Sequence, residues 1–325
     1  MRSAVHTLFG DPADVLALAD NPVPQPGPGE VRIKMLLSPI HNHDLWTVRG
    51  QYGYKPTLPA IGGSEAVGLV DALGEGVQGV APGQRVAVAG VHGSWAEYFI
   101  APAPQLVPLP EAIADEAAAQ LIAMPLSALM LLEFLEVDSG DWIVQNTANG
   151  AVGKTLAMLA AARGVHTVNL VRRNAGVEEL AALGIGNAVS TAQPDWQAQV
   201  HAIIGDAKPR AAVDSIGGKA SGELLALLGE GGLLVSFGSM AGEPMQIASG
   251  DLIFKQAVVK GFWGSKLSAA MSVEDKRRLL GELLGLAASG ALKLPVEAIY
   301  DLADISKAVA TSLTPGRKGK VLLRP

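Results

Sequence analysis

No cysteine occurs in the 325 residues, which excludes disulfides, thiolate nucleophiles, iron–sulfur ligation and any zinc site that needs a thiolate. Aromatics are scarce, at 5% against 49% hydrophobic residues overall, so the cores must be filled mainly by Ala, Val, Leu and Ile. Cationic excess is missing too: 25 Lys and Arg face 31 Asp and Glu, for a net charge of −6. Such a chain gets no help from its overall field in binding nucleic acid or anionic lipid, and an anionic ligand needs a local basic site. The greasiest stretch, Ala117 to Leu132, is interrupted by Gln120, Pro125 and Ser127 and reads as a buried helix rather than a membrane span. The N-terminal run MRSAVHTLFGDPADVLALAD shows neither a signal nor a transit pattern. Together these absences point to a cytoplasmic protein with no membrane or nucleic-acid partner.

What is present falls into two textures. Up to about Pro110, short apolar runs such as VRIKMLL, AVGLVDAL, RVAVAGV and WAEYFIA are punctuated by Pro and Gly, the pattern of a small β barrel or sandwich. A helix is expected over Asp115 to Phe134. Then strand-length runs (WIVQNT, HTVNLVR, AVST, AAVDSIG, LLVSFGS) alternate with amphipathic stretches of helical length, which argues for parallel βαβ units and a doubly wound sheet. The end returns to mixed character: VVKGFW, a helix from Val273 to Ser289, PVEAIYDL, a short helix near Asp304 to Leu313, and KVLLR. The expected fold class is therefore α/β, with a β-rich domain over 1–113 and 268–325 interrupted by a nucleotide-binding domain over 114–267.

The first βα junction of the inserted part reads WIVQNTANGAVGKTLAMLAAARG. A strand enters a turn containing Asn146, Asn149, Gly150 and Gly153, and an Ala-rich helix follows. A pyrophosphate needs this arrangement: backbone N–H groups that can approach the anion, and a helix N-terminus that favours negative charge. The glycine fingerprint is incomplete, and Asn149 is expected to keep the left-handed turn shape in place of a glycine. A triphosphate-binding loop would require Gly at position 148, where Ala148 stands. The next strand ends in Arg172 and Arg173, with no acid before Glu178. Two guanidiniums suit a 2′-phosphate, and no carboxylate is there to hold a free ribose hydroxyl, so NADP(H) is favoured over NAD(H).

Layout and motifs resemble the medium-chain dehydrogenase/reductase superfamily, in which a GroES-like β domain carries an inserted Rossmann domain. The zinc-dependent members hold catalytic zinc with Cys, His and Cys. The matching positions here are His41, Ser64 in Gly63-Ser64-Glu65, and Ala123, which do not make a zinc site. No metal is therefore expected. The chain is most similar to the zinc-independent 2-enoyl thioester reductases, through RGQYGYKPTLPAIGGSEAVG, IVQNTANGAVGK, NLVRRN, VDSIGGKAS, LVSFGSMAG and LIFKQAVVKGFWGSK. The resemblance implies a homodimer, with a sheet edge near Val235 and Val258 pairing to a second copy.

It also implies site residues. Tyr52 would donate to the substrate carbonyl, with Tyr54 nearby. The cofactor would be held by Asn149, Gly150, Ala151 and Val152 at the pyrophosphate, by Arg172 and Arg173 at the 2′-phosphate, by Phe237, Gly238, Ser239 and Met240 and by Phe262, Trp263 and Gly264 near the nicotinamide, and by Lys320. Departures from the family pattern at Met124 and Ser64 alter the pocket rather than the cofactor grip. His41 and His43, two apart in what reads as an extended segment, are expected as polar lining of the substrate pocket. The implied chemistry is hydride addition to a C=C bond conjugated to a carbonyl. Negative charge then develops on the carbonyl oxygen, and a phenol keeps its proton at neutral pH and can donate to it. An NADPH:quinone oxidoreductase shares fold and cofactor, and an NADPH-binding protein with little catalysis is the reading outside enzyme chemistry.

Overall fold

The computed structural model describes residues 1–325 as two compact units, Met1–Ala123 with Glu282–Pro325, and Met124–Gly281. The sequence placed the junctions at 113/114 and 267/268. The first shifts because the expected helix over Asp115–Phe134 is two helices, Asp115–Ala118 and Ala123–Phe134, and the shorter one packs on the strands Glu30–Pro39 and Glu65–Leu73 of the first unit. The second falls inside the helix Val273–Ala288. No helix is long and apolar enough to cross a membrane.

In the first unit the strand Glu30–Pro39 is the organiser. It pairs antiparallel with Glu65–Leu73, Tyr98–Pro102 and Lys320–Arg324. Its alternation explains its place: Val31, Ile33 and Met35 are fully buried while Arg32 and Lys34 point outward, the period-two signature of a sheet with one face on a core. A separate three-stranded sheet is built from Arg2–His6, Ala17–Asp20 and Ala60–Ile61. Trp95 is the largest fully buried side chain of this unit, and its indole N–H donates to the Pro39 carbonyl at 3.1 Å. Gly62 and Gly63 lie so close to the indole that a Cβ at either position would overlap it. The two glycines are thus required by contact, and Gly63 also by its φ of 91°.

The second unit has six parallel strands: Trp142–Gln145, His166–Val171, Ala188–Ser190, Ala211–Asp214, Leu233–Ser236 and Val258–Gly261. Numbered in chain order they lie 3-2-1-4-5-6, so the strand order reverses beside Trp142–Gln145. A doubly wound sheet binds ligands at the carboxyl ends of its strands at such a reversal. Val144, Val168, Leu170, Val189, Ala212 and Leu234 supply the sheet's share of a core closed by helices. Val235, expected at an edge, is fully buried and paired on both sides. The edge is Val258–Gly261, whose valines are exposed.

Replacing Trp95 with Ala removes a buried aromatic from a site that cannot collapse around its rigid neighbours, and should cost about 3–5 kcal/mol of stability. Urea unfolding measures it; a loss below about 1 kcal/mol would show that the sheet does not lean on this indole.

Candidate active site

The cofactor turn is built where the sheet order reverses. After Trp142–Gln145 the chain turns through Asn146–Gly150 and enters the helix Ala151–Ala162. The first N–H groups of this helix, on Ala151, Val152 and Gly153, have no carbonyl one turn earlier to receive them. They are free to donate to an acceptor from outside the helix. The left-handed residue of the turn is Thr147, at φ 51°, and not Asn149. Asn149 donates its side-chain amide to Glu179 at 3.1 Å. Gly153 is required by approach: a Cβ there would lie 2.7 Å from the Ala148 Cα and 2.8 Å from the Thr147 carbonyl oxygen. Asn146 ties this turn to the next one across the sheet. Its amide donates to Asp214 Oδ1 at 2.7 Å and its oxygen accepts from the Ser215 N–H at 2.8 Å. Asp214, fully buried, also accepts from the N–H groups of Ile216 and Gly217 and from the Ser221 hydroxyl.

Arg172 and Arg173 stand where the second strand gives way to the helix Asn174–Ala182. Both are exposed, and neither forms an ion pair. Phe237 follows the fifth strand, its N–H donating to the Asp214 carbonyl at 2.8 Å. Its ring lies 5.6 Å from that of Phe262, which in turn meets Phe134 edge-on at 5.5 Å. Gly238 and Ser239 continue the loop after Phe237, and Gly264 opens the helix Gly264–Ala270 just after Phe262 and Trp263. Phe262 is buried, but Met240 and Trp263 are 76% and 69% exposed, so they are not core residues of this unit. Met124 opens it.

The remaining expected residues gather in the first unit around two acids that sequence reasoning passed over, Glu65 and Asp44. His41 precedes the helix Asn42–Val48, and His43 lies in its first turn. The segment is not extended but turns into this helix. The two imidazoles stack face to face at 4.9 Å. His41 is fully buried, and its Nε2 is 2.6 Å from Glu65 Oε2. The other oxygen of Glu65 accepts the N–H groups of Ile122 and Ala123 at 2.7 and 2.9 Å, the very residues where the expected long helix breaks. Ser64 donates to Asp44 Oδ1 at 2.6 Å and meets His43 Nε2 at 2.8 Å. Asp44 Oδ2 accepts the His41 N–H at 3.0 Å.

Tyr52 stacks on His43 at 5.7 Å and Tyr54 on His92 at 3.9 Å. Lys320, which the resemblance places at the cofactor, lies beside this cluster, its ammonium donating to the Ile40 carbonyl at 3.5 Å. Burial sets the charges here. It holds His41 well below the ordinary imidazole range, pushes Glu65 up to about 7 against the two backbone N–H bonds, and pulls Lys320 down to about 8. His41 is therefore neutral, and where Glu65 is ionised it donates its Nε2–H to that carboxylate, which leaves its Nδ1 buried without a partner.

The sequence matches the alcohol dehydrogenase GroES-like domain over residues 27–111 and the zinc-binding dehydrogenase domain over 151–280. The mitochondrial enoyl-[acyl-carrier-protein] reductase of Homo sapiens is 33% identical over 329 residues, covering 99% of this chain and 88% of that protein. The chain belongs to the medium-chain dehydrogenase/reductase superfamily. The Bos taurus enoyl-[acyl-carrier-protein] reductase is 34% identical with the same coverage. The quinone oxidoreductase of Escherichia coli, solved in complex with NADPH, superposes with a TM-score of 0.88 at 26% identity, covering all of both chains. The chain is an oxidoreductase. The zinc that its second matching domain is named for does not fit the residues present. His41 Nε2 is taken by Glu65, Ser64 offers a hydroxyl bonded to Asp44, and Ala123 has no ligand atom. Catalytic zinc needs about three protein ligands.

The raised value of Glu65 gives a pH-dependent stability test. The folded state binds this proton more tightly than the unfolded one, so its contribution is present below about pH 4.5 and is lost as pH rises through about 7. Glu65→Gln should therefore gain on wild type between pH 5 and pH 8, by up to about 3 kcal/mol. Urea unfolding of both proteins across that range reads the difference; a pH-independent gap would mean that Glu65 ionises in the fold as it does in water.

Proposed function

We propose that this oxidoreductase is an NADPH-dependent, zinc-independent reductase of a C=C bond conjugated to a carbonyl, in an enoyl thioester, enone or enal. The observation that carries the reading is Tyr52: its ring is held by stacking on His43, yet it is 41% exposed and its hydroxyl bonds no other group of the chain. A positioned phenol with a free hydroxyl is a hydrogen-bond donor awaiting an acceptor.

The residues divide the work. The N–H groups of Ala151, Val152 and Gly153 hold the pyrophosphate, and Arg172 and Arg173 grip the 2′-phosphate, with Phe237 and Phe262 as apolar wall for the nicotinamide. Bound there, NADPH supplies hydride to the β-carbon. Tyr52 donates to the carbonyl oxygen as the enolate charge develops, a fixed donor placed where that charge appears. Two such units associate along the open edge Val258–Gly261, which exposes Val258 and Val259 and unpaired strand hydrogen-bonding groups.

Three outcomes are expected. NADPH oxidation is rapid with trans-2-enoyl-CoA or simple enones, and turnover of quinones alone would move the protein to the quinone reductases its structural neighbour represents. Silence on the whole panel despite tight NADPH binding would leave a binding protein. Tyr52→Phe lowers kcat by about 10²-fold with NADPH affinity unchanged, since removing a catalytic donor acts on the transition state; full activity would remove Tyr52 from the chemistry. Arg172→Ala combined with Arg173→Ala weakens NADPH by about 10²-fold or more and leaves NADH nearly unchanged, each charged hydrogen bond being worth about 1.5–3 kcal/mol. Fluorescence titration with both cofactors checks it, and equal losses for the two would refute the 2′-phosphate assignment.

A further inference from the structure

Reduction of a conjugated C=C bond needs a proton at the α-carbon as well as a hydride at the β-carbon. Tyr52 answers the charge on oxygen, but if it also surrendered its proton it would be left a phenolate. The first unit holds a second group arranged for proton transfer, and the proposed function above gives no role to it.

The geometry of His43 fixes the direction of its hydrogen bonds. Ser64 Oγ spends its hydrogen on Asp44 Oδ1 at 2.6 Å. Toward His43 Nε2, 2.8 Å away, it can only accept. Nε2 therefore carries a hydrogen in both the neutral and the cationic ring. Asp44 is itself pinned, its other oxygen accepting the His41 N–H at 3.0 Å. The carboxylate is nearly fully buried, and its Oδ1 lies 3.5 Å from the ring nitrogen. The chain His43 Nε2–H to Ser64 Oγ–H to Asp44 thus has a single polarity. All proton exchange is left to Nδ1, which makes no hydrogen bond in the chain, on a ring 26% exposed. One face of that ring lies against buried His41 and Tyr52 stacks on it as well, so the imidazole is held in register with the phenol.

We infer that His43 is the proton donor to the α-carbon, oriented by Ser64 and Asp44, while Tyr52 serves the carbonyl oxygen. The inference rests on the proposed C=C reduction. In the step, the Nδ1–H bond of the imidazolium breaks and its electron pair stays on nitrogen. The enolate's pair forms the new C–H bond at the α-carbon, and the carbonyl is restored. The ring is left neutral with its proton on Nε2, already hydrogen-bonded to Ser64, and water returns a proton to Nδ1. No oxidant or further reductant is involved.

The test has a readout independent of turnover and two that depend on it. Nitrogen-15 NMR of the neutral His43 ring should show hydrogen on Nε2 and none on Nδ1, a preference lost in Ser64→Ala; the opposite tautomer in wild type would overturn the relay. Among activity measurements, His43→Gln keeps a donor toward Ser64 but cannot pass a proton, and should lower kcat by about 10²-fold with NADPH affinity and enone KM within roughly threefold. Imidazole added to His43→Ala should restore a substantial part of the loss, which a residue needed only for packing would not allow. An active wild type with His43→Gln keeping pace, or a slow, NADPH-binding His43→Ala that imidazole leaves slow, would overturn the relay alone. A wild type that reduces no enone or enoyl thioester would overturn the activity, and the relay with it.

Discussion

The buried carboxylate of Glu65 is the constraint around which the first unit is arranged. Its two oxygens take three hydrogens: Nε2–H of His41 on one side and the N–H groups of Ile122 and Ala123 on the other. A carboxylate withdrawn from water is costly unless each lone pair is used, and removing any one donor leaves a buried acceptor exposed to that cost. Hence the chain must break its helix where it does, and His41 must sit at the entrance of its own short helix. With His41 fixed, its N–H anchors Asp44, Asp44 anchors Ser64, and Ser64 sets the face of His43. Tyr52 is positioned at the end of this succession, on a loop whose residues are otherwise largely exposed.

In the second unit a neutral amide does comparable work. Asn146 bonds Asp214 and the Ser215 N–H, and so locks the first βα turn to the one after the fourth strand. The two loops flank the point where strand order reverses, and the helix beyond Gly153 can approach only because that residue has no side chain. The backbone N–H groups proposed to hold the pyrophosphate are thereby fixed by the fold itself, which would spare a binding step their ordering entropy.

Most of this architecture was legible in the residues. The alternation at Val31, Ile33 and Met35, the strand–turn–helix around Asn146 to Gly153, and the regular exchange of strand and helix to Gly261 are local patterns, and local patterns are what periodicity reports. What escaped it was set by distant partners. Nothing near Gln120 announces that two N–H groups there belong to an acid 57 residues earlier. The left-handed residue of the turn is Thr147 although Asn149 has the better intrinsic tolerance, because close packing at Gly153 dictates the path. His41 and His43 read as an extended pair since a helix of seven residues has too little periodicity to be recognised. One signal was available: Glu65 opens an otherwise apolar strand, EAVGLV, and a charge in such company is either paired or paired to a purpose.

Arg172 and Arg173, after the second strand, differ from the buried groups that hold the turns of their unit together, Asn146 and Asp214. They are exposed, form no ion pair within the chain, and lie outside the hydrogen-bonded frameworks of Glu65 and Asp214. Folding therefore places almost no demand on their identity. On the 2′-phosphate role proposed for this pair, a lineage descending from this chain could exchange one nicotinamide currency for the other by surface substitution, testing each variant without risking the scaffold, whereas a change at the proposed proton donors would have to pass through the buried groups that hold the fold. On that assignment reductant choice is the freely evolving trait, and chemistry the tethered one.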